Sequence, residues 1–426
     1  MLQQQIYQRK GFSRLNLLLL LGLLGFSCLG VWSTTAHAHS DVGQFVRHVF
    51  SIGVGLGVFF AVSLTGYRAL QKWSPLLYLV LLGLLGLVLV IGPYVAGSRR
   101  WIYFGSFSFQ PSELGKLVLC LTLSTHLASV RRLSPLNVLL LALHIGLPCL
   151  LILREPDLGM TLVLGGLFFS MLVVSPASPW ILSLSLAPAF SVLLFFINQL
   201  AWKAHLFLGT IALTGWALWQ RWQRRPALVV SLFCAGLLLL NASVILIGEW
   251  TWEHLHDYQK ERIESFLNPQ PDALSSGYQV LQSTIAVGSG GLRGQGLGHG
   301  SQTQLGMVPE QHTDFIFSAI AEETGFVGAG LMLVLFGILV FRILWIGFQA
   351  QEASQLYICT GVASLMLMQL LINVGMNMDL MPVKGVPLPL ISYGGSSMII
   401  QLGLLGLVES IYLSQHDPGL MREFGL

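Results

Sequence analysis

Charge is what this sequence has least of. Charged side chains make up 10% of the 426 residues, against roughly 25% in a soluble domain. With 54% of residues hydrophobic, too little polar surface remains to face water on every side, and lipid is the alternative solvent. No basic stripe is present. Lys and Arg come in small groups beside apolar runs, and the net charge is only +3, which excludes a nucleic-acid partner. The five cysteines, Cys28, Cys120, Cys149, Cys234 and Cys359, stand singly in apolar stretches. None pairs at metal-ligand or redox spacing, so they read as small buried hydrophobes and imply no disulfide framework. Internal repeats, low-complexity tracts and lipidation signals are also lacking.

Long hydrophobic runs are abundant. A membrane helix needs about 20 mainly apolar residues. Such runs lie near 15–34, 48–66, 75–95, 113–130, 134–153, 158–176, 179–199, 203–220, 226–248, 314–346, 355–376 and 390–413, twelve in all. The expected class is all-α: a polytopic membrane helix bundle of about 12 transmembrane helices. The 314–346 run exceeds a single crossing, as a tilted or partly extramembrane helix would. By the positive-inside rule, a cytoplasmic N-terminus puts Arg9, Lys10, Arg14, Arg68, Lys72, Arg131, Arg132, Arg221, Arg224, Arg225, Arg342 and Arg422 on the inner side. The C-terminus then also faces the cytoplasm, and 249–313 becomes a long extracytoplasmic loop. Loops above about 15 residues are commonly functional or disordered. Trp250, Trp252, Tyr258, Phe266 and Tyr278 suit a segment folded back on the membrane face.

Polar residues inside an apolar chain need a partner, a cavity or a role, and here they cluster. Gly97-Ser98-Arg99-Arg100-Trp101 precedes Gln110-Pro111-Ser112-Glu113 and Lys116. Pro111 suits a first helical turn, Glu113 and Lys116 share a helix face and can pair, and Arg99 and Arg100 offer a phosphate dense positive charge. Arg154-Glu155-Pro156-Asp157-Leu158-Gly159 breaks the chain between two spans. It is either a tight charged turn or a place where Asp157 orients a substrate group. In the long loop, Arg262 and Asp272 flank a turn bracketed by Pro269 and Pro271; taken alone they read as a solvated charge and a turn aspartate. Gly277-Tyr278-Gln279, Gln282 and Ser283 lead into the glycine-rich Gly288–Gly296, which is either a flexible loop or a stretch whose amides approach an anion. It fits neither a P-loop nor a dinucleotide fingerprint. Pro309–Asp314, holding His312, then opens a span with Glu322 and Glu323. Finally Met381–Ser397, with three prolines, Lys384 and Ser392, forbids a regular helix. Broken backbone at membrane depth is tolerated only where protein or a water-filled cavity satisfies it.

Jointly, Gly-Ser-Arg-Arg-Trp at 97–101, Phe109–Glu113, Glu155–Gly159, the 262–296 stretch, Pro309–Phe317 and Pro387–Ser397 resemble the RodA/FtsW (SEDS) family of peptidoglycan glycosyltransferases. The resemblance runs from the first span to about residue 413, except for 177–248. The family usually has ten spans, so 177–225 reads as an additional helix pair within one membrane domain, 1–426. Ala273 stands where the family often has proline. Asp257-Tyr258-Gln259, Gly288–Gly296 and Val386–Pro389 look closer to RodA, while Lys384-Gly385 looks closer to FtsW; the elongation type is favoured. Arg9, Lys10 and Arg14, an apolar run and Ala36-His37-Ala38 look like a cleavable signal peptide, but the family's first span lies here, which favours retention.

The resemblance implies polymerisation of lipid II in the bacterial cytoplasmic (inner) membrane. The 4-hydroxyl of one GlcNAc attacks the anomeric carbon of another chain's MurNAc, and undecaprenyl pyrophosphate leaves. By matching position it implies Asp272 as the base. Arg99, Arg100, Trp101, Arg262, Gln279, Gln282, Ser283, Lys384 and Ser392 become substrate-binding candidates, and Glu113, Lys116, Asp157, His312, Asp314 and Glu322 supporting ones. A divalent cation, Mg²⁺ or Mn²⁺, a class B penicillin-binding transpeptidase and other cell-wall elongation proteins are the implied cofactor and partners. A lipid II flippase, a division-type polymerase and a non-catalytic scaffold are the competing readings, since intramembrane charges and broken helices suit transport equally.

Overall fold

The structure, a computed structural model, describes residues 11–36, 42–94, 98–105, 107–130, 135–175, 276–308, 310–381 and 385–416. The three runs expected at 179–199, 203–220 and 226–248, and so the additional pair at 177–225, lie outside these residues. The other nine runs fall on helices: α1 (Arg14–Ala36), α2 (Val42–Thr65), α4 (Ser74–Ile91), α5 (Pro111–Ser129), α6 (Pro135–Arg154), α7 (Leu158–Val174), α10 (Ile316–Phe348), α11 (Ala353–Asn377) and α12 (Gly395–His416). Shorter helices are α3 (Tyr67–Lys72), α8 (Ser276–Ser289) and α9 (Ser301–Gln304), the last two preceding α10. Among the described residues, seven helices, α1, α2, α4, α6, α10, α11 and α12, are long and apolar enough to cross a membrane. Helices that keep every backbone hydrogen bond within the segment are the form lipid permits.

The bundle has a centre and a rim. In α12 and α11 the apolar windows are 83% and 72% buried, against 22% in α4 and α6. Helix α5 joins the centre, with Ser112, Glu113, Lys116 and Ser124 buried alongside its leucines. A helix enclosed by others need not be apolar on every face, so α5 tolerates an ion pair that a rim helix could not carry. Helix α2 lies close along α12 because both present glycine there. A Cβ on Gly55 would stand 2.4 Å from the Leu402 side chain, and one on Gly406 2.7 Å from the Phe59 carbonyl.

Two local features depart from an unbroken all-α reading. Residues 102–109 form an antiparallel hairpin, β1 (Ile102–Phe104) with β2 (Phe107–Phe109), in register Ile102↔Phe109. Aromatic and β-branched residues favour this pairing, and Gly105 supplies the turn at φ 62°. The excess length of α10 has a plain cause: Gly325, at φ 67°, ψ −169°, breaks the helix, leaving Ile316–Thr324 as a separate first stretch. The last span starts at Gly395, not near 390, because Val386–Gly394 is not helical.

Candidate functional site at the hairpin end of the bundle

The hairpin marks one end of the bundle. Phe107 lies against Gly395, where an added Cβ would come within 3.1 Å of its ring, so β2 sits beside the start of α12. Three polar groupings are described near the helix ends that meet there.

The first joins α4, α5, α6 and α7. Lys116 and Glu113 form an ion pair of 2.6 Å, with side chains 0% and 2% exposed. One turn earlier, Gln110 donates to Asp157 Oδ2 at 3.1 Å, while Asp157 Oδ1 accepts the Met160 amide at 3.0 Å and caps α7. Asp157 thus has a structural occupation as N-cap. Arg100 donates through Nε to the Glu155 carbonyl at 2.7 Å and through Nη2 to the Pro156 carbonyl, while Arg99 Nη1 donates to the Leu89 and Val90 carbonyls at 3.1 and 3.2 Å. Both arginines hold carbonyls that a helix end leaves unpaired, Arg99 on α4 and Arg100 just past α6. Trp101 is half-buried at the start of the hairpin. Glu155 is fully buried and neither carboxyl oxygen has a hydrogen-bond partner. Burial, reinforced by the Asp157 carboxylate and opposed by Arg100, pushes it up to about 8. Burial also raises Asp157, again against Arg100.

The second grouping joins α8, α10, α11 and the broken segment before α12. Asn373 Nδ2 donates to the carbonyls of Asp314 and Val386, both at 2.8 Å. Asn377 Nδ2 donates to the same Asp314 carbonyl at 3.1 Å, and its Oδ1 accepts the Ser318 amide at 3.1 Å. The Ser283 hydroxyl donates to the Asn377 carbonyl at 2.9 Å. Ser392 Oγ donates to the Thr313 carbonyl at 2.5 Å and accepts the Leu388 amide at 2.8 Å. The Tyr393 amide donates to the His312 carbonyl at 2.9 Å, and the His312 and Tyr393 rings meet edge to face at 5.6 Å. Burial lowers His312, opposed by Glu310, which favours neutral imidazole. The hydroxyls of Ser283 and Ser392 are therefore spent on fastening one segment to another. Gln279 and Gln282, one turn apart on α8, are partly exposed.

The third grouping explains the adjacent acids and the glycine run together. The Glu322 carboxylate accepts the Gln302 amide (2.8 Å), the Thr303 amide (2.9 Å) and hydroxyl (2.5 Å), and the Ser301 hydroxyl (3.1 Å). Glu323 accepts from Ser33 of α1 and from Gln304. Where Gly325 interrupts α10, the glycine run takes over its hydrogen bonds. The amides of Gln295 and Gly296 donate to the carbonyls of Glu322 and Glu323, and those of Phe326 and Val327 to the carbonyls of Gly291 and Leu292. A Cβ at Gly290 or Gly294 would lie 2.1 Å from a carbonyl oxygen of α10. These glycines serve a close backbone-to-backbone approach, and the anion that the adjoining amides of Gln302 and Thr303 hold is the chain's own.

Among the described residues, then, the structure gathers Arg100, Glu113, Lys116 and Asp157 in one grouping and Ser283, His312, Asp314 and Ser392 in another, with Glu322 in a third. Asp272, Arg262 and Lys384 lie outside the described residues. Among those described, no group of three or more His, Cys, Asp or Glu side chains is arranged to hold a metal ion. Asn373 and Asn377 were not singled out in the sequence. Their signal was available, two amides one turn apart in an apolar helix, but amides stand out less than charges.

A polytopic membrane bundle with three extensive polar groupings near its helix ends is the class these features define. The chain belongs to the family described as "Cell cycle protein" (FTSW_RODA_SPOVE), whose model matches residues 10–211 and 226–417. The unmatched stretch, 212–225, is shorter than the 177–248 exception read from the sequence. The chain is 33% identical over 403 residues to the peptidoglycan glycosyltransferase MrdB of Escherichia coli K12, covering 93% of this chain and 92% of that one. It is 34% identical over 408 residues to the probable peptidoglycan glycosyltransferase FtsW of Coxiella burnetii, covering 92% and 93%. In structure it is similar to a chain of a peptidoglycan synthase complex solved to show how polymerization and crosslinking are coordinated (TM-score 0.68, 30% identity, 96% and 99% covered). It is also similar to the rod shape determining protein RodA of Thermus thermophilus (TM-score 0.61, 26% identity, 95% and 98% covered).

Proposed function

We propose that this protein is a peptidoglycan glycosyltransferase that polymerises lipid II during cell-wall elongation. The observation that carries the reading is the likeness to MrdB along nearly the whole of both chains. The elongation type is supported by that relative and by the RodA neighbour. In this reading the protein sits in the bacterial cytoplasmic membrane with both termini in the cytoplasm, and the hairpin end faces outward. Its partners are a class B penicillin-binding transpeptidase and other elongation proteins.

The reaction is one inverting displacement. Asp272 takes the proton from the acceptor 4-hydroxyl, a general-base contribution of typically 10²–10⁴-fold. The hydroxyl oxygen bonds to the anomeric carbon as the carbon–oxygen bond to undecaprenyl pyrophosphate breaks. Arg262 and Lys384 are the cations proposed to stabilise the departing diphosphate. Arg99 and Arg100 have a narrower part, since their guanidiniums already donate to helix-end carbonyls. They contribute standing positive charge through their remaining N–H groups. Mg²⁺ or Mn²⁺ remains part of the proposal, but the described residues build no site for it and no step above depends on it.

Purified protein supplied with lipid II in detergent tests the reading. Wild type forms glycan chains and Asp272→Ala does not. Chain formation by Asp272→Ala removes the base. A wild-type protein that moves lipid II across vesicles and never links it is a flippase.

A further inference from the structure

The end of the bundle away from the hairpin holds a cavity of about 450 Å³ between α4, α5 and α6. Tyr78 and Leu79 of α4, Thr122, Thr125 and His126 of α5 and His144 of α6 form its walls. Ligand pockets commonly measure roughly 300–1,000 Å³, so the space is large enough to hold a molecule. One wall is built of packed rings. Tyr78 and His144 stack at 4.2 Å, and His126 meets His144 edge to face at 6.2 Å. Much of the lining's polar capacity is turned inward. The Tyr78 hydroxyl donates to the His144 carbonyl at 2.7 Å, His144 Nε2 shares a hydrogen bond of 2.8 Å with the Thr122 hydroxyl, and the Thr125 hydroxyl donates to the Leu121 carbonyl at 2.8 Å. A cavity water needs about two to four polar partners, and these groups already bond one another or the backbone. The space therefore suits hydrocarbon better than water.

Its mouth opens where lipid would lie. Helices α4 and α6 belong to the rim, and Leu79 is 64% exposed. At one end Ser74 and Pro75, in the first turn of α4, and Ser129, the last residue of α5, complete the lining. Lys72 and Trp73 directly precede them and are both exposed. Trp is enriched at the membrane–water interface, and a lysine there offers a phosphate positive charge. Going along α4, an interfacial Trp and Lys thus lead into an apolar slot, the order in which a phospholipid presents its headgroup and its chain.

We propose that this cavity binds one acyl chain of a phospholipid, with the headgroup at the level of Lys72 and Trp73. The volume suits a single acyl chain and is too small for a whole undecaprenyl tail. The chain supplies α4, α5 and α6 with the dispersion contacts that an empty space between them forfeits. The site is independent of the glycosyl-transfer reading and does not rest on it.

The full-length purified protein in nanodiscs of phosphatidylglycerol and phosphatidylethanolamine tests this, with a trace of phosphatidylglycerol carrying a diazirine midway along one acyl chain. After illumination the label should concentrate on the stretches that hold Tyr78, His126 and His144, above the level on exposed residues of α10 such as Phe341. Thr125→Trp, which fills the cavity from its α5 wall, should abolish the label there and leave that on α10 unchanged. Ser129→Trp obstructs the cavity from its exposed end and repeats the test where Thr125→Trp does not fold. In detergent, added phosphatidylglycerol should raise the melting temperature of wild type more than that of either variant, because only wild type has the site to fill. Label spread evenly over α4, α6 and α10 marks ordinary solvating lipid and overturns the proposal, as does undiminished label at the cavity in a folded variant. If neither variant folds, the distribution of label on wild type decides. Displacement of the label by undecaprenyl phosphate at the concentration of the phospholipid would make the cavity a polyprenyl site and overturn the proposal as well.

Discussion

Replacing Lys116 by methionine removes a charge and keeps the volume of the side chain. The ammonium it removes stands 2.6 Å from Glu113 Oε2, and neither side chain is more than 2% exposed. Glu113 would keep its carboxylate at the enclosed centre of the bundle without a compensating cation. Breaking a buried pair from one side costs about 3–5 kcal/mol, whereas replacing both partners by apolar groups of similar size is often neutral or stabilising by about 1–4 kcal/mol. Lys116→Met is thus expected to destabilise by about 3–5 kcal/mol, and Glu113→Leu combined with Lys116→Met to return most of that loss. Thermal unfolding of the detergent-purified protein reads both. If the pair is structural only, the double variant also polymerises lipid II; if it supports the reaction, the double variant is stable and inactive. A Lys116→Met protein with the unfolding curve of wild type would refute the reasoning, because Glu113 would then not depend on its partner.

Other consequences concern the same end of the bundle. Glu155 is held up to about 8 from an ordinary 4.5, so between those values the folded state binds more protons than the unfolded one, and stability falls as pH rises through that window. The fall is at most roughly 1.4 kcal/mol for each pH step of one, and Glu155→Gln should flatten the dependence of melting temperature on pH between about 5 and 8. Gly294→Ala should destabilise severely, since its Cβ would meet the Glu323 carbonyl at 2.1 Å and Gly294 sits at φ 78°; a folded variant with an unchanged melting curve contradicts the backbone contact described. Arg100→Lys should lose about 1–3 kcal/mol, because a point-like ammonium cannot serve the Glu155 and Pro156 carbonyls with the planar fork of a guanidinium; equal stability would mean that the fork is not needed.

The spans were legible because lipid demands long apolar runs, and nine of those read from the sequence fall on described helices. The hairpin was not, since strands of three residues leave no periodicity to read. The Glu113–Lys116 spacing announced its ion pair, for charges three apart on a helix meet. The glycine run was legible as a place of close approach, but spacing alone cannot say what approaches; it proved to be the chain's own backbone at Gly325. Arg99 and Arg100 read as positive charge suited to a phosphate, and only the position of the carbonyls at the ends of α4 and α6 reveals them as fasteners. Asn373 and Asn377 escaped notice because an amide in an apolar helix costs less than a charge and so draws less attention. Asp272, Arg262 and Lys384 owe their proposed roles to the family motifs, with no geometry described for them.

The account is tested most directly by the stoichiometry of the reaction itself. Purified protein incubated with lipid II should release one undecaprenyl pyrophosphate for each β-linkage formed, with both products absent for Asp272→Ala. Diphosphate released without linkage, or lipid II consumed with neither product formed, would contradict it.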